Sequence, residues 1–213
     1  MISTLKLCLV THIHGCSFSS YLKLIQQAVS GGVTSIQLRD KNSSSSDLYH
    51  RARILKSILQ PLSVPLIVND SVKLAYDVDA EGVHLGQSDA SPIFAREYLG
   101  PKKLIGLSVE SFSDLDYANT LDCLDYIAAS AVFPSLTKTD CKTVWHLEGL
   151  KTLVNASRHP VVAIGGINTS NLQSVLEQGA YGVAVVSAVH QARDYQQAAS
   201  ALRRVIDEHH EPR

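Results

Sequence analysis

The sequence predicts an α/β protein of the (β/α)8 class, a TIM barrel, and three observations carry that prediction. Short β-rich runs recur eight times, and a helix-like segment follows each of them. Most runs hold apolar residues at consecutive rather than alternating positions, the pattern of strands covered on both faces, as in parallel sheets. Eight such units in 213 residues sit near the lower size limit of the barrel and are many for an open doubly wound sheet. No G-x-G-x-x-G follows the first run, which also speaks against the open sheet.

The strands are expected at Leu5–Val10, Ser35–Leu38, Leu66–Val68, Val83–Leu85, Leu104–Leu107, Tyr126–Ala129, Val161–Ile164 and Val183–Val186. Between them, Tyr21–Ser30 puts Leu22, Ile25 and Ala28 at helical spacing, and Gly31-Gly32 stops that helix. Asp47–Leu59 places Leu48, Ala52, Leu55 and Ile58 on one face, Pro61 ends it, and the Ser43–Ser46 patch reads as its start. Val72–Tyr76 is short. Ser91-Pro92 has the form of an N-cap followed by proline at the first helical position, and Gly100-Pro101 closes that helix. Ser113–Leu121, Leu147–Val154, Asn171–Gln178 and Tyr195–His209 complete the set. The stretch Ser135–His146 is long and polar for a connection, as lids and binding loops are.

Residues 1–213 suit one domain, with no linker in view, and can bury a large core. Hydrophobic residues make up 45% and charged residues 18%, ordinary for a globular chain. A net charge of -1 points to neither nucleic acid nor an anionic membrane as partner. Cys8, Cys16, Cys123 and Cys141 show no C-x-x-C spacing and are expected to be reduced. Met1–Val10 is too short an apolar stretch for a secretory signal, and no run reaches the ~18 apolar residues of a membrane span. A cytoplasmic protein is expected; whether it forms a homo-oligomer is left open.

In a barrel the chemistry sits at the C-terminal ends of the strands. Gln37, Arg39 and Lys41 share one parity after the second strand, so an extended segment points two cations and an amide the same way. Asn69 and Asp70 follow the third strand; Asp70 reads either as an N-cap or as a site acid, and Ser71 can cap in its place. Asp89 follows the fourth, with Ser91 the better cap for the next helix. Two converging acids beside cations suit a hydrated divalent cation holding a phosphorylated ligand, and oxygen ligands with retained waters are what Mg2+ prefers. Ser108 follows the fifth strand, and Ser135, Leu136, Thr137, Lys138, Thr139 and Asp140 lie in the loop after the sixth. Gly165-Gly166 follows the seventh and Val186-Ser187 the eighth, the usual phosphate end of such barrels. His12 and His14 have no third metal ligand at fitting spacing, His84 reads as a core histidine inside the fourth strand, His209 and His210 as tail residues, and Trp145 as packing for the base of the long loop.

Taken together, the motifs IQLRDK (Ile36–Lys41), LIVND (Leu66–Asp70), GVHLGQSD (Gly82–Asp89), IGLS (Ile105–Ser108), AVFPSLTKTD (Ala131–Asp140), VVAIGGI (Val161–Ile167) and GVAVVSA (Gly182–Ala188) resemble the thiamine phosphate synthase family. They stand in family order from the second strand to the eighth. The resemblance implies that 4-amino-2-methyl-5-pyrimidinylmethyl diphosphate is joined to 4-methyl-5-hydroxyethylthiazole phosphate, giving thiamine phosphate and pyrophosphate. It implies that Gln37, Arg39, Lys41, Asn69, Ser108 and Lys138 hold the pyrimidine diphosphate, with Arg39, Ser108 and Lys138 catalytic. It further implies that Asp70 and Asp89 bind Mg2+, and that Ser135, Leu136, Thr137, Gly166, Val186 and Ser187 hold the thiazole phosphate.

The chain departs from the family pattern around the sixth strand, where G-x-G-P-V-F-P-T is usual and Ala128 to Ser135 reads AASAVFPS. It departs again at Val10-Thr11-His12, where an aspartate is usual. The nearest alternative resembles thiazole tautomerase, which carries a histidine just after the serine of the fifth strand; here Val109-Glu110 follows Ser108. A non-catalytic phosphate-binding regulatory barrel and a sugar-phosphate isomerase barrel are the others, and no acid/base pair can be nominated for the last.

Overall fold

The computed structural model describes residues 2–11, 17–135 and 143–210. Eight parallel strands close into a barrel in chain order: β1 (Leu7–Val10), β2 (Ser35–Leu38), β3 (Leu66–Asn69), β4 (Gly82–Leu85), β5 (Leu104–Val109), β6 (Tyr126–Ser130), β7 (Val161–Ile164) and β8 (Gly182–Val185). The first strand pairs with both β2 and β8, so the ladder has no open edge. Around it run α1 (Phe18–Ser30), α2 (Ser45–Leu59), α3 (Val72–Asp77), α4 (Pro92–Leu99), α5 (Phe112–Asn119), α6 (His146–Ala156), α7 (Leu172–Glu177), α8 (Ser187–His190) and α9 (Tyr195–His210).

One local device starts the first five helices. Ser17, Ser44, Ser71, Ser91 and Ser111 each accept the backbone N–H three residues on, which satisfies a donor the helix itself cannot. A second device stitches the opposite end of the barrel. The Thr34 hydroxyl accepts the Leu7 N–H at 2.9 Å, Glu81 accepts that of Leu66 at 2.9 Å, and Asp125 accepts that of Ile105 at 2.8 Å. Side chains just ahead of β2, β4 and β6 thus cap the first residue of β1 and of β3 and the second of β5. Lys56 and Arg96 pair with Glu81 and Asp125 and tie α2 and α4 to the same end.

Alternation along each strand sorts the side chains into two sets. Leu7, Leu9, Ile36, Leu38, Val83, Leu85, Ile127 and Val183 join the helices in the main core. Leu5, Cys8, Val10, Tyr126, Val162 and Ala184 form a separate cluster inside the barrel. Both faces of a strand are therefore apolar, which is why the runs do not alternate. The interior set is small, and Gly106 shows why. It stands opposite Tyr126 in the ladder, and a Cβ there would lie 2.2 Å from the tyrosine Cζ.

The eight units stand as expected, with corrections at the ends. The first strand begins at Leu7, not Leu5, because Ile2–Leu5 forms a 3-10 turn that tucks Leu5 under the barrel. The helix α8 was not anticipated; it is four residues long and leaves no periodicity to read. His209 and His210 belong to the last turn of α9, with His210 6.2 Å from the Tyr181 ring, rather than to a tail. Cys8 and Cys123 are free thiols; Cys16 and Cys141 lie outside the described residues. Among the described residues no helix is long and apolar enough to cross a membrane.

The Gly106 contact yields a test. Gly106→Ala should cost about 1–3 kcal/mol, because a rigid ring and two strands must give way. A fall in the urea midpoint with an unchanged slope measures it.

Candidate active site

A cavity of about 520 Å3 opens at the C-terminal ends of the strands and reaches down to Leu5. Gln37, Arg39, Lys41, Asn69, Asp70, Asp89, Ser108, Ser135, Gly166, Val186 and Ser187 all line it. Eleven of the residues nominated from the sequence are therefore gathered in one place, although they come from seven different strand ends. Leu136, Thr137, Lys138, Thr139, Asp140, His12 and His14 lie outside the described residues.

The two acids arrive by different backbone routes. The Asp70 N–H extends the β3–β4 ladder by donating to the His84 carbonyl at 2.8 Å. Asn69 already faces inward, so a regular strand would turn Asp70 away. Its left-handed φ of 68° brings it back to the rim, and both residues line the cavity. Ser71 caps α3, which frees the Asp70 carboxyl from that task. Asp89 closes a turn on itself: the Gly86 N–H donates to its Oδ2 at 2.7 Å. Asp89 therefore has a structural role that the sequence did not reveal. Gln87 braces the same turn by donating to the Ser108 carbonyl at 2.7 Å.

The cations are left for the cavity by a pairing elsewhere. Asp40 sits between Arg39 and Lys41 in sequence, yet it pairs with Arg51 of α2 and accepts from the Ser43 hydroxyl at 2.6 Å. The Arg39 N–H is fixed on the Thr11 hydroxyl at 3.1 Å, and Lys41 Nζ stands 3.9 Å from Asp70. On the opposite wall Gly165 and Gly166 have φ of 105° and 63°. Side chains there would lie 2.5 Å from the Ala131 Cβ and 2.7 Å from the Phe133 Cβ, so glycine is required twice where the strand 6 loop leans in. Trp145 is buried at the foot of that loop as expected, and its Nε1–H donates to the Ser130 carbonyl at 3.2 Å.

Among the lining residues that sequence reasoning missed are His84, Tyr126 and Glu110. His84 was placed in the core, and it is buried, but its ring faces the cavity floor. Nδ1 lies 3.0 Å from the Tyr126 hydroxyl and Nε2 2.9 Å from the Ser108 hydroxyl. The signal was available in parity: His84, Ser108 and Tyr126 occupy inward positions once the register is known.

The comparisons with known proteins bear on this geometry. The family model described as thiamine monophosphate synthase matches residues 7–189, from the start of β1 into α8. The chain belongs to the thiamine monophosphate synthase family. The thiamine-phosphate synthase of Chlamydia caviae is 44% identical over 202 residues, which cover 95% of either chain. That of Vibrio campbellii is 44% identical over 180 residues, covering 84% of this chain and 88% of its own. Among solved structures, the thiamine phosphate pyrophosphorylase of Pyrococcus furiosus superposes with a TM-score of 0.88 at 35% identity over 99% of both chains. A 3-hexulose-6-phosphate synthase at 17% identity, with a TM-score of 0.70 over 94% of this chain and 99% of its own, shares the fold alone. The protein is an enzyme, a transferase, and thiamine phosphate synthesis is the activity these relatives carry in name.

Within the site, burial and then a hydrogen bond and repulsion from Asp89 push the Asp70 carboxyl up to about 6, against the pull of Lys41 and Arg39. Two carboxylates in contact are a hard-oxygen donor pair that a divalent cation relieves, and Mg2+ fits that donor chemistry. Among the described residues no three His, Cys, Asp or Glu side chains gather into a metal cage. Asp70 and Asp89 would be the protein's share, with waters and phosphate oxygens completing the shell.

The raised Asp70 carboxyl ties the stability of the fold to pH. The folded state binds the proton more tightly than the unfolded chain, whose aspartates titrate near 3.9. Stability from this pair is therefore full below about pH 4 and is lost as pH rises through about 6. Asp89→Asn should raise the Tm of the metal-free protein at pH 7 by about 1–3 °C, a modest gain because the pair is half-exposed. The gain should vanish near pH 4, which melting curves across pH measure.

Proposed function

We propose that this protein is a Mg2+-dependent thiamine phosphate synthase, joining the pyrimidinylmethyl diphosphate to the thiazole phosphate named above. The observation that carries the proposal is the convergence of Asp70 and Asp89 at one rim, beside Arg39, Lys41 and Ser108. The glycine-lined wall stands across the same cavity. In this reading Gln37, Arg39, Lys41, Asn69, Ser108 and Lys138 hold the pyrimidine diphosphate, Gln37 from the floor of the cavity. Ser135, Leu136, Thr137, Gly166, Val186 and Ser187 hold the thiazole phosphate. Residues 1–213 act as one domain, in the cytoplasm, on small molecules.

The reaction needs no nucleophile from the chain. The methylene C–O bond breaks, its electron pair leaves with pyrophosphate, and the thiazole nitrogen supplies the pair for the new C–N bond. Mg2+, when bound, would supply positive charge to the departing diphosphate. Arg39 and Lys41 add fixed positive charge where the leaving group grows negative, and Ser108 adds a hydroxyl. The deep cavity keeps water from the pyrimidinylmethyl cation until the thiazole captures it. The Gly165-Gly166 turn lets backbone approach the second phosphate closely.

Purified protein given Mg2+ and both substrates should release pyrophosphate only when both are present. Asp89→Ala should lower that rate at least about 100-fold while circular dichroism stays native. Absence of product from the wild type would overturn the proposal, and near-normal turnover of Asp89→Ala would remove Asp89 from the metal site.

A further inference from the structure

The chemistry above leaves unexplained a run of buried polar side chains that crosses the barrel beneath Ser108. Gln37, His84 and Tyr126 are each at most 6% exposed, in an interior lined mostly by small and apolar groups. They are joined end to end. The Gln37 side chain hydrogen-bonds the Tyr126 hydroxyl, that hydroxyl meets His84 Nδ1 at 3.0 Å, and His84 Nε2 meets Ser108 Oγ at 2.9 Å. The cavity above Ser108 is where the diphosphate is placed.

The direction of the protons follows from counting donors. Burial first, and then the nearby Cys8 and Asp125, raise Tyr126 well above the usual phenol range, so it keeps its single proton. The Gln37 side-chain amide carries N–H groups that can donate to the same oxygen. With its oxygen accepting from Gln37, Tyr126 spends its proton on His84 Nδ1. A neutral imidazole that accepts at Nδ1 must carry its proton at Nε2. That proton goes to Ser108 Oγ. The serine then has its own proton left to give, and the open side of Ser108 is the cavity.

We propose that Gln37, Tyr126 and His84 form a one-way hydrogen-bond chain that fixes the Ser108 hydroxyl as a donor into the cavity. His84 and Tyr126 are then positioning residues that act through Ser108. The inference rests on the reading of Ser108 as a diphosphate-binding group. Successive bonds in one direction polarise each other, so the last donor is stronger than a lone serine. An anionic leaving group is what a donor, and not an acceptor, at that place would select. Without the Tyr126 hydroxyl, the ring can carry its proton at Nδ1, Nε2 becomes an acceptor, and the serine proton turns away from the substrate.

Two measurements test this. In steady-state pyrophosphate release, Ser108→Ala and Tyr126→Phe should each lower kcat/KM for the pyrimidine diphosphate by about tenfold. On the Ser108→Ala background, Tyr126→Phe should change it by less than about twofold. A loss as large as in the wild type would overturn the chain, because Tyr126 would then act without Ser108. If Ser108→Ala alone matched wild type, the reading of Ser108 would fail instead, which the single variant shows by itself. Independently of activity, 15N NMR of the wild-type protein, with His84 assigned by His84→Gln, should find Nδ1 bare and Nε2 protonated. The opposite tautomer, or an imidazolium, would overturn the proposed direction.

Discussion

Closure of the parallel ladder on itself decides which way each strand side chain faces, and the site depends on that one constraint. A residue slip between any two strands would move Gln37, His84, Ser108 or Tyr126 from the cavity into the helix layer. The ladder has no free edge at which a slip could be absorbed. Caps from Thr34, Glu81 and Asp125 hold the far end of alternate strands in place.

The site is assembled against local stability. Asp70 takes a left-handed backbone and lies against a second carboxyl that repels it. Arg39 and Lys41 are withheld from Asp40, which Arg51 satisfies instead. Such arrangements cost free energy in the empty protein and are useful only when an ion and an anion are there to relieve them. The opposite wall is shaped by sterics, with Gly165 and Gly166 giving way to the strand 6 loop.

Much of this was legible in the sequence because it is written locally. Eight consecutive apolar runs and serines such as Ser91 ahead of Pro92 announce strands and helix starts without any tertiary knowledge. The residues after the strands could be nominated from the rule that barrel chemistry sits there, and those described do meet in one cavity. What could not be read depends on register. His84 looks like a core residue until Ser108 and Tyr126 are known to be its neighbours across two other strands. The tie between Asp89 and Gly86, and the inward turn of Asp70, are dihedral choices that composition does not record. Four residues of α8 and the 3-10 turn at Ile2–Leu5 are too short for periodicity to show.

The central claim is that Asp70 and Asp89 form the cation end of a diphosphate site facing a separate phosphate wall. A crystal structure with Mn2+ in place of Mg2+ and with pyrophosphate tests it most directly, since anomalous scattering marks the metal. The account predicts one metal between the two carboxylates, with pyrophosphate oxygens on the metal, on Arg39 and on Lys41. A metal bound elsewhere, or pyrophosphate seated only at Gly165-Gly166, would contradict it.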